Sequence, residues 1–374
     1  MVTEQRQSSL NGPSLAGTFV LIFFAIAALA ATDTFLAKVE RTEGQAEARR
    51  LLVEGQRLVQ RGRDADAINK FRSALSVSRG NQEAQLGLAG ALLAVGRLTD
   101  AETLLQEMLR RSATDGAANL TMARVMVKEG RSVEATSYYH QSIYGRWSQD
   151  ARANRVKVRF ELIEVLVRQN ADREVLAELL PLQDEAPDDI QTRKRIARVY
   201  LSAGSPSRAL DLFREILRQQ PQDFDAYAGL GEAEFARGNY RIARTDFKVA
   251  LRLNPADEEI GKRLGVCETV LTLDPTQRGL STAERYRRGI KLVELALEGM
   301  NRCVGTPPPA DVSDLAEKAK QALMRRVSFA RQDEVTEANL DLADQLWQAR
   351  QKQCKQAPAE ADEPLALVIA KLAQ

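Results

Sequence analysis

Few side chains in this sequence have the type and spacing that chemistry needs. There is one histidine, His140, and there are three cysteines, Cys267, Cys303 and Cys354. No Cys-x-x-Cys and no His-x-x-x-His occurs, so the spacing offers no metal site. A histidine without partners reads as structural or solvent-facing. No nucleophile–base pair, paired-carboxylate site or phosphate loop stands out, so the sequence assigns no catalytic, cofactor-binding or metal-binding residue and reads as a non-enzyme without a cofactor. Two chemistries remain, thiol oxidation and aromatic recognition. Residues 138–160 hold the densest aromatic cluster: Tyr138, Tyr139, Tyr144, Trp147 and Phe160. These rings either fill an irregular junction or, through Tyr138, Tyr144 and Trp147, form a partner-binding ridge of the kind aromatic hot spots make.

The thiols depend on the elements that carry them. Three amphipathic stretches, 281–303, 311–331 and 334–354, keep helical spacing, with stripes such as Tyr286, Ile290, Val293, Leu297 and Met300. Short connections predict a three-helix module over 281–355. In an up-down-up bundle the first and third helices run parallel, so Cys303 and Cys354 meet at one end as a candidate disulfide; two unrelated thiols are the alternative. The tail 356–374 begins polar and Pro-containing, and Leu365 to Leu372 is expected as a short docking helix.

The rest of the chain follows one ruler. Gly62, Gly96 and Gly130 stand 34 residues apart, as do Gly204 and Gly238, and Asn170 lies 34 before Gly204 and 40 after Gly130. Seven residues before each marker stand Gly55, Ala89, Ala123, Ile163, Ala197 and Gly231. Five after it stand Ala67, Ala101, Ala135, Val175, Ala209 and Ala243, and nine after it Phe71, Leu105, Tyr139, Leu179, Phe213 and Phe247. Small residues let two helices approach, and the large one fills the space beside them. The marker itself ends a helix in the left-handed conformation that Gly or Asn readily takes.

This pattern resembles the tetratricopeptide repeat family. Its best copy is Phe224 to Asp257, with Tyr227, Leu230, Gly231, Gly238, Ala243, Phe247, Ala250 and Pro255 in the family's places. Six repeats are read, 48–81, 82–115, 116–149, 156–189, 190–223 and 224–257, with an insertion at 150–155. Residues 258–273 repeat the first-helix pattern and are expected as a capping helix. The resemblance implies an all-α protein, a right-handed superhelix of about six helical hairpins that binds proteins.

In that family the first helices line the concave surface. Carried over, those positions give a groove whose middle holds Arg124, Lys128, Lys157, Phe160, Arg168, Lys194 and Arg198, while the sixth repeat contributes Asp225, Glu232 and Phe235. The six cations would hold an acidic or carboxylate-ended peptide by charge-assisted hydrogen bonds, unless acidic neighbours already neutralise them. The family's carboxylate clamp for chaperone tails is not present, since Leu52 and Gln56 stand where its first Lys and Asn belong.

Leu15 to Ala31 is a run of 17 residues without charge, extendable to Ala37. About 20 apolar residues span a bilayer. After a tail of 1–14, the segment 15–37 is therefore expected as a retained transmembrane helix, with a signal peptide cut after Ala30 as the alternative. The flanking charges give no clear orientation. A first apolar segment followed by a long domain usually exports that domain, so the expected location is the cytoplasmic membrane, single-pass, with the repeats in the periplasm. Net charge is only +2, which argues against a nucleic-acid partner. The expected function is a membrane-anchored scaffold for envelope proteins; a structural subunit of a larger membrane complex and an accessory factor in envelope polymer or protein assembly are the alternatives.

Overall fold

The computed structural model describes residues 15–302, 309–354 and 362–373; the side chains of 15–22 and of several residues between 30 and 41 lie outside it. Among the described residues the fold is all-α, with seventeen α-helices and one 3-10 turn. An isolated bridge, Asp115 with Arg146, is the extended pairing found. The chain divides after Gln169 into two compact units.

The first unit contains α1 (Leu15–Gln60), α2 (Asp64–Val77), α3 (Gln82–Ala94), α4 (Leu98–Arg111), α5 (Gly116–Lys128), α6 (Ser132–Ile143) and α7 (Ala151–Arg168). The second contains α8 (Asp172–Glu185), α9 (Ile190–Ser202), α10 (Pro206–Gln219), α11 (Phe224–Ala236), α12 (Tyr240–Leu253), α13 (Glu258–Leu273), α14 (Thr282–Asn301), α15 (Ala310–Met324), α16 (Gln332–Gln353) and α17 (Glu363–Leu372). Within each unit, successive helices pack as antiparallel neighbours through short connections.

Two local devices make each hairpin. Gly62, Gly96, Gly130, Gly204 and Gly238 have φ between +70° and +80°, and Asn170 takes +54°. At each glycine the following amide reaches back to a carbonyl five residues earlier, as Arg97 N does to Leu92 O at 2.9 Å, closing the helix end. The next first helix opens on an acidic or amide side chain. Asn81, Asp115, Asp189, Asp223 and Asp257 each accept a hydrogen bond from the amide three residues on, at 2.8–3.0 Å. The connection thus carries a start signal and a stop signal.

The apolar run and the first helix of the first repeat form one helix, α1, 46 residues long and so roughly 70 Å. Phe23, Phe24, Ile26, Leu29 and Phe35 on it are all exposed. Among the described residues no helix is long and apolar enough to cross a membrane. The insertion at 150–155 enters α7 as added helix: α7 has 18 residues, starting after Asp150 at φ +46°.

The module after the cap differs from expectation at one end. Its second helix stops at Met324 rather than 331, and a 3-10 turn, Phe329–Arg331, leads into α16. The chain needs those residues to reverse and return α16 along α14, its main neighbour. Cys303 lies outside the described residues, and Cys267 is free and buried in α13.

Hairpin closeness rests on the small positions. A Cβ on Gly231 would lie 2.4 Å from Phe247 Cδ1, and one on Gly229 would lie 2.2 Å from Phe213 Cζ. The flat backbone of α11 at these two glycines therefore receives a ring from α10 on one side and from α12 on the other. Both rings are fully buried. Gly231→Leu should cost about 2–4 kcal/mol by overpacking. Thermal unfolding followed by circular dichroism should show a midpoint several degrees lower, and an unchanged midpoint would contradict this packing.

Candidate functional site

The expected groove residues fall in both units, and each set is best taken by itself. In the first unit, α5 carries Arg124 and Lys128 and α7 carries Lys157, Phe160 and Arg168. Arg124 donates from Nε and Nη2 to the two oxygens of Glu161, at 2.9 and 2.6 Å. This two-pronged bond to Glu161 holds the guanidinium proton more tightly than usual, although burial opposes it. Tyr139 lies behind the pair, and its phenol is pushed up to about 12 by burial and then by the Glu161 charge. The charge of Arg124 is therefore engaged by Glu161. Phe160 is buried at 8% exposure, so its ring serves packing rather than an open surface. Lys128, Lys157 and Arg168 are exposed and have no ion pair among the described residues.

In the second unit, Lys194 is buried on α9 at 6% exposure. Its Nζ meets Asp223 at 2.6 Å and Asp225 at 2.9 Å, and Arg198 Nη2 meets the same Asp225 at 2.7 Å. Burial by itself would lower the ammonium's pKa, but the hydrogen bonds it donates to Asp223 and Asp225 outweigh it and raise the pKa. Asp223 is also the cap of α11, so Lys194 braces α9 to the start of the next first helix. The adjoining cavity of about 550 Å³ is lined by Lys194, Asp223, Phe224 and Asp225. Its two carboxylates face the two expected cations, so this set is balanced rather than basic.

The aromatic cluster divides between the two readings. Trp147 is partly buried; its Nε1 donates to Ser142 O at 3.0 Å, and its ring lies over Gly116, where a Cβ would come within 2.5 Å. Arg146 N donates to Thr114 O at 2.7 Å and Gly116 N donates to Arg146 O at 2.9 Å, tying this loop to the start of α5. Trp147 and the buried Tyr139 thus fill the junction, and Tyr138 is partly buried. Tyr144 is 75% exposed, with Arg159 5.7 Å from its ring centre. Beside Trp147 lies a cavity of about 340 Å³ with Gln82, Glu83 and Leu86.

One polar cluster was not anticipated from the sequence. Glu234 on α11 is 2% exposed and accepts from Asn239 Nδ2 at 2.7 Å and from Arg237 and Arg214 at 3.3 and 3.5 Å. Asp246 on α12 is pushed up to about 6, first by burial and second by Glu234, against the opposing charge of Arg214. A carboxyl raised in the fold binds its proton better folded than unfolded. Stability therefore falls as pH rises from about 4 to about 6 and then stays level. Asp246→Asn should be more stable than the parent above pH 6, by about 1–2 kcal/mol, with the difference vanishing near pH 4. Urea unfolding at pH 7.5 and pH 4 measures it; an equal gain at both pH values would mean that the charge is not the cause.

The family comparison agrees with this repeat anatomy. The tetratricopeptide repeat family matches residues 58–120 and again residues 194–258. The chain is 43% identical over 56 residues to Superkiller complex protein 3 of Homo sapiens, which is 15% of this chain and 4% of that protein. It is 22% identical over 302 residues to DnaJ homolog subfamily C member 3 of Gallus gallus, covering 78% of this chain and 58% of that protein. It thus spans less than two thirds of the length of either relative. Among solved structures, YrrB, described as a TPR protein with an unusual peptide-binding site, aligns over 51% of this chain and 95% of its own, with 18% identity and a TM-score of 0.41. The C-terminal part of a TPR repeat-containing protein from Cytophaga hutchinsonii aligns over 83% and 98%, with 11% identity and a TM-score of 0.45. Glycine-ended, Asx-started hairpins recur at 34 residues through both matched segments, and those two segments are tetratricopeptide repeats.

Proposed function

We propose that this protein is a membrane-tethered scaffold that binds an acidic segment of a partner protein, with its repeats on the outer side of the cytoplasmic membrane. Its repeat family supplies protein–protein interaction surfaces rather than catalysis. The observation that carries the tether is α1. Five large apolar side chains, Phe23, Phe24, Ile26, Leu29 and Phe35, stand exposed on the same helix whose far end packs into the first repeat. Exposed apolar surface of that extent marks a membrane or protein contact. An uninterrupted helix also passes the tether's position directly to the repeats. The same exposed row supports the second reading, a structural subunit whose α1 packs on helices of a larger membrane complex.

The tether predicts recovery of the full chain in membranes, resistant to alkaline carbonate. Ile26→Lys with Leu29→Lys should release it to the soluble fraction. Protease added from the outer side should digest the repeats; digestion that needs access from the cytoplasmic side would reverse the orientation, and a soluble parent beginning near Ala31 would remove the tether. Outward repeats also suit a Cys303–Cys354 bridge, because disulfides persist in oxidising compartments. Labelling of thiols after denaturation without reductant should then mark Cys267 alone.

The acidic-partner reading rests on Lys128, Lys157 and Arg168, the expected groove cations that no carboxylate in the described residues engages. Partners recovered from detergent extracts should bind the triple charge reversal to Glu at least tenfold more weakly than the parent. Their affinity should also fall with salt. Arg198→Glu should have a much smaller effect, because Asp225 already neutralises that side chain. Equal losses for the two variants would reject this assignment of the surface.

A further inference from the structure

The last described helix, α17, sits on a surface built from α13, α14 and α16. Pro364, Leu365, Val368 and Ile369 form its buried stripe, at the i, i+3, i+4 spacing of a helix laid into a groove. Charges fix both of its ends. At its start, Asp362 pairs with Arg302 and with Arg350, and Glu363 pairs with Arg263 at 3.1 Å. At its far end, Lys371 Nζ meets Asp274 at 2.5 Å. Burial would raise the Asp274 carboxyl, but hydrogen bonds from Lys371 and Thr276 outweigh it and hold it below the usual range. Carboxylates at the helix start and a lysine at its end also match the helix dipole, so the surface reads direction as well as composition.

Arg350 makes the demand for a carboxylate strict. Its side chain is 6% exposed, stacks 5.0 Å from the Trp347 ring centre, and leaves Nε buried without a partner. Asp362 is its counter-charge among the described residues, itself 4% exposed. An uncompensated buried guanidinium is costly, so the surface favours an occupant with an acid in that place. Arg263 extends the site to α11: it lies 5.0 Å from the Phe235 ring centre and meets Glu232 at 3.2 Å. Glu232 and Phe235 are first-helix positions of the sixth repeat, on the face the family uses for ligands.

The resident helix is weakly committed. It has 10 residues, and helices shorter than about 12–15 residues are marginal by themselves. Its helical state therefore depends on docking, and four buried side chains must offset the entropy of ordering the segment. We propose that the α13–α14–α16 surface is a second protein-binding site. Its partner is a helical segment of another protein that opens on adjacent acidic residues, carries an apolar i, i+3, i+4 stripe and ends on a basic residue. α17 occupies the site as a built-in competitor.

Hydrogen exchange on the full chain should show α17 amides exchanging at least tenfold faster than those of α14 and α16, by local release. A fluorescein-labelled peptide of residues 362–373 serves as the probe. It should bind the full-length Leu365→Asp variant at least tenfold more tightly than the parent, while α14 and α16 stay protected. Adding Arg350→Glu should abolish that binding, as should a peptide carrying Asp362→Lys. Excess peptide should also accelerate exchange of α17 in the unmodified parent, which tests displacement without any substitution. The proposal fails if α17 exchanges only together with α14 and α16. It also fails if the protected variant binds no peptide, or if light scattering shows that α17 is exchanged between two copies of the chain.

Discussion

How closely two helices of a hairpin can approach governs the repeat region. Residues on the small side of each contact are fully buried from Ala67 to Ala243, and the large partners, such as Phe71, Leu105, Phe213 and Phe247, are buried with them. A ring enters only where the facing helix has no Cβ or a small one. Phe71 shows this from two directions: a Cβ on Gly55 of α1 would lie 2.6 Å from it and one on Gly87 of α3 would lie 2.7 Å from it. One side chain therefore fixes both the hairpin and its stacking on the next. The capping signals then set where each helix begins and ends, so that the contact recurs in register.

That packing constrains the charges. First helices are forced side by side, so a cation on one meets a carboxylate on the next. Arg124 reaches Glu161, and Lys194 reaches Asp223 and Asp225. Exposed pairs of this kind contribute little stability. The buried Lys194 pair differs, because removing either partner would strand a charge away from water. Such pairing consumes charge that would otherwise face a ligand. What a partner could use is the remainder, and the proposed surface takes Lys128, Lys157 and Arg168 because no carboxylate among the described residues engages them.

The parts of this arrangement legible in the sequence are the local ones. Gly62 and Asn170 announce a left-handed backbone by residue type, since that conformation is decided within one residue. The caps at Asn81, Asp115, Asp189, Asp223 and Asp257 keep a 34-residue step for most of the chain and carry the same local signal. The neutralisation of Lys194 was not legible, because Asp225 is 31 residues away on another helix and only the stacking geometry brings them together. The burial of Phe160 was hidden for a similar reason. It lies in a run, Val156, Val158, Arg159 and Phe160, that α7 buries as the junction closes over it. The end of α15 at Met324 has neither glycine nor proline to mark it; tertiary reversal decides it.

The two proposed surfaces would read ligands by different physics. The exposed cations of the first unit act in high dielectric, where attraction is weak, tolerant of geometry and screened by salt. Such a surface, in the role proposed for it, would gather acidic segments without fixing how they lie. The surface beneath α17 places Arg350 and Asp274 out of water at opposite ends of an apolar stripe. There a misplaced charge is penalised by desolvation, and specificity comes from that penalty more than from the attraction. A reversed helix would set like charges against Asp274 and leave Arg350 without its carboxylate. Buried charge at both ends of a short groove is therefore a means of choosing sequence and direction together, which an exposed basic patch cannot do.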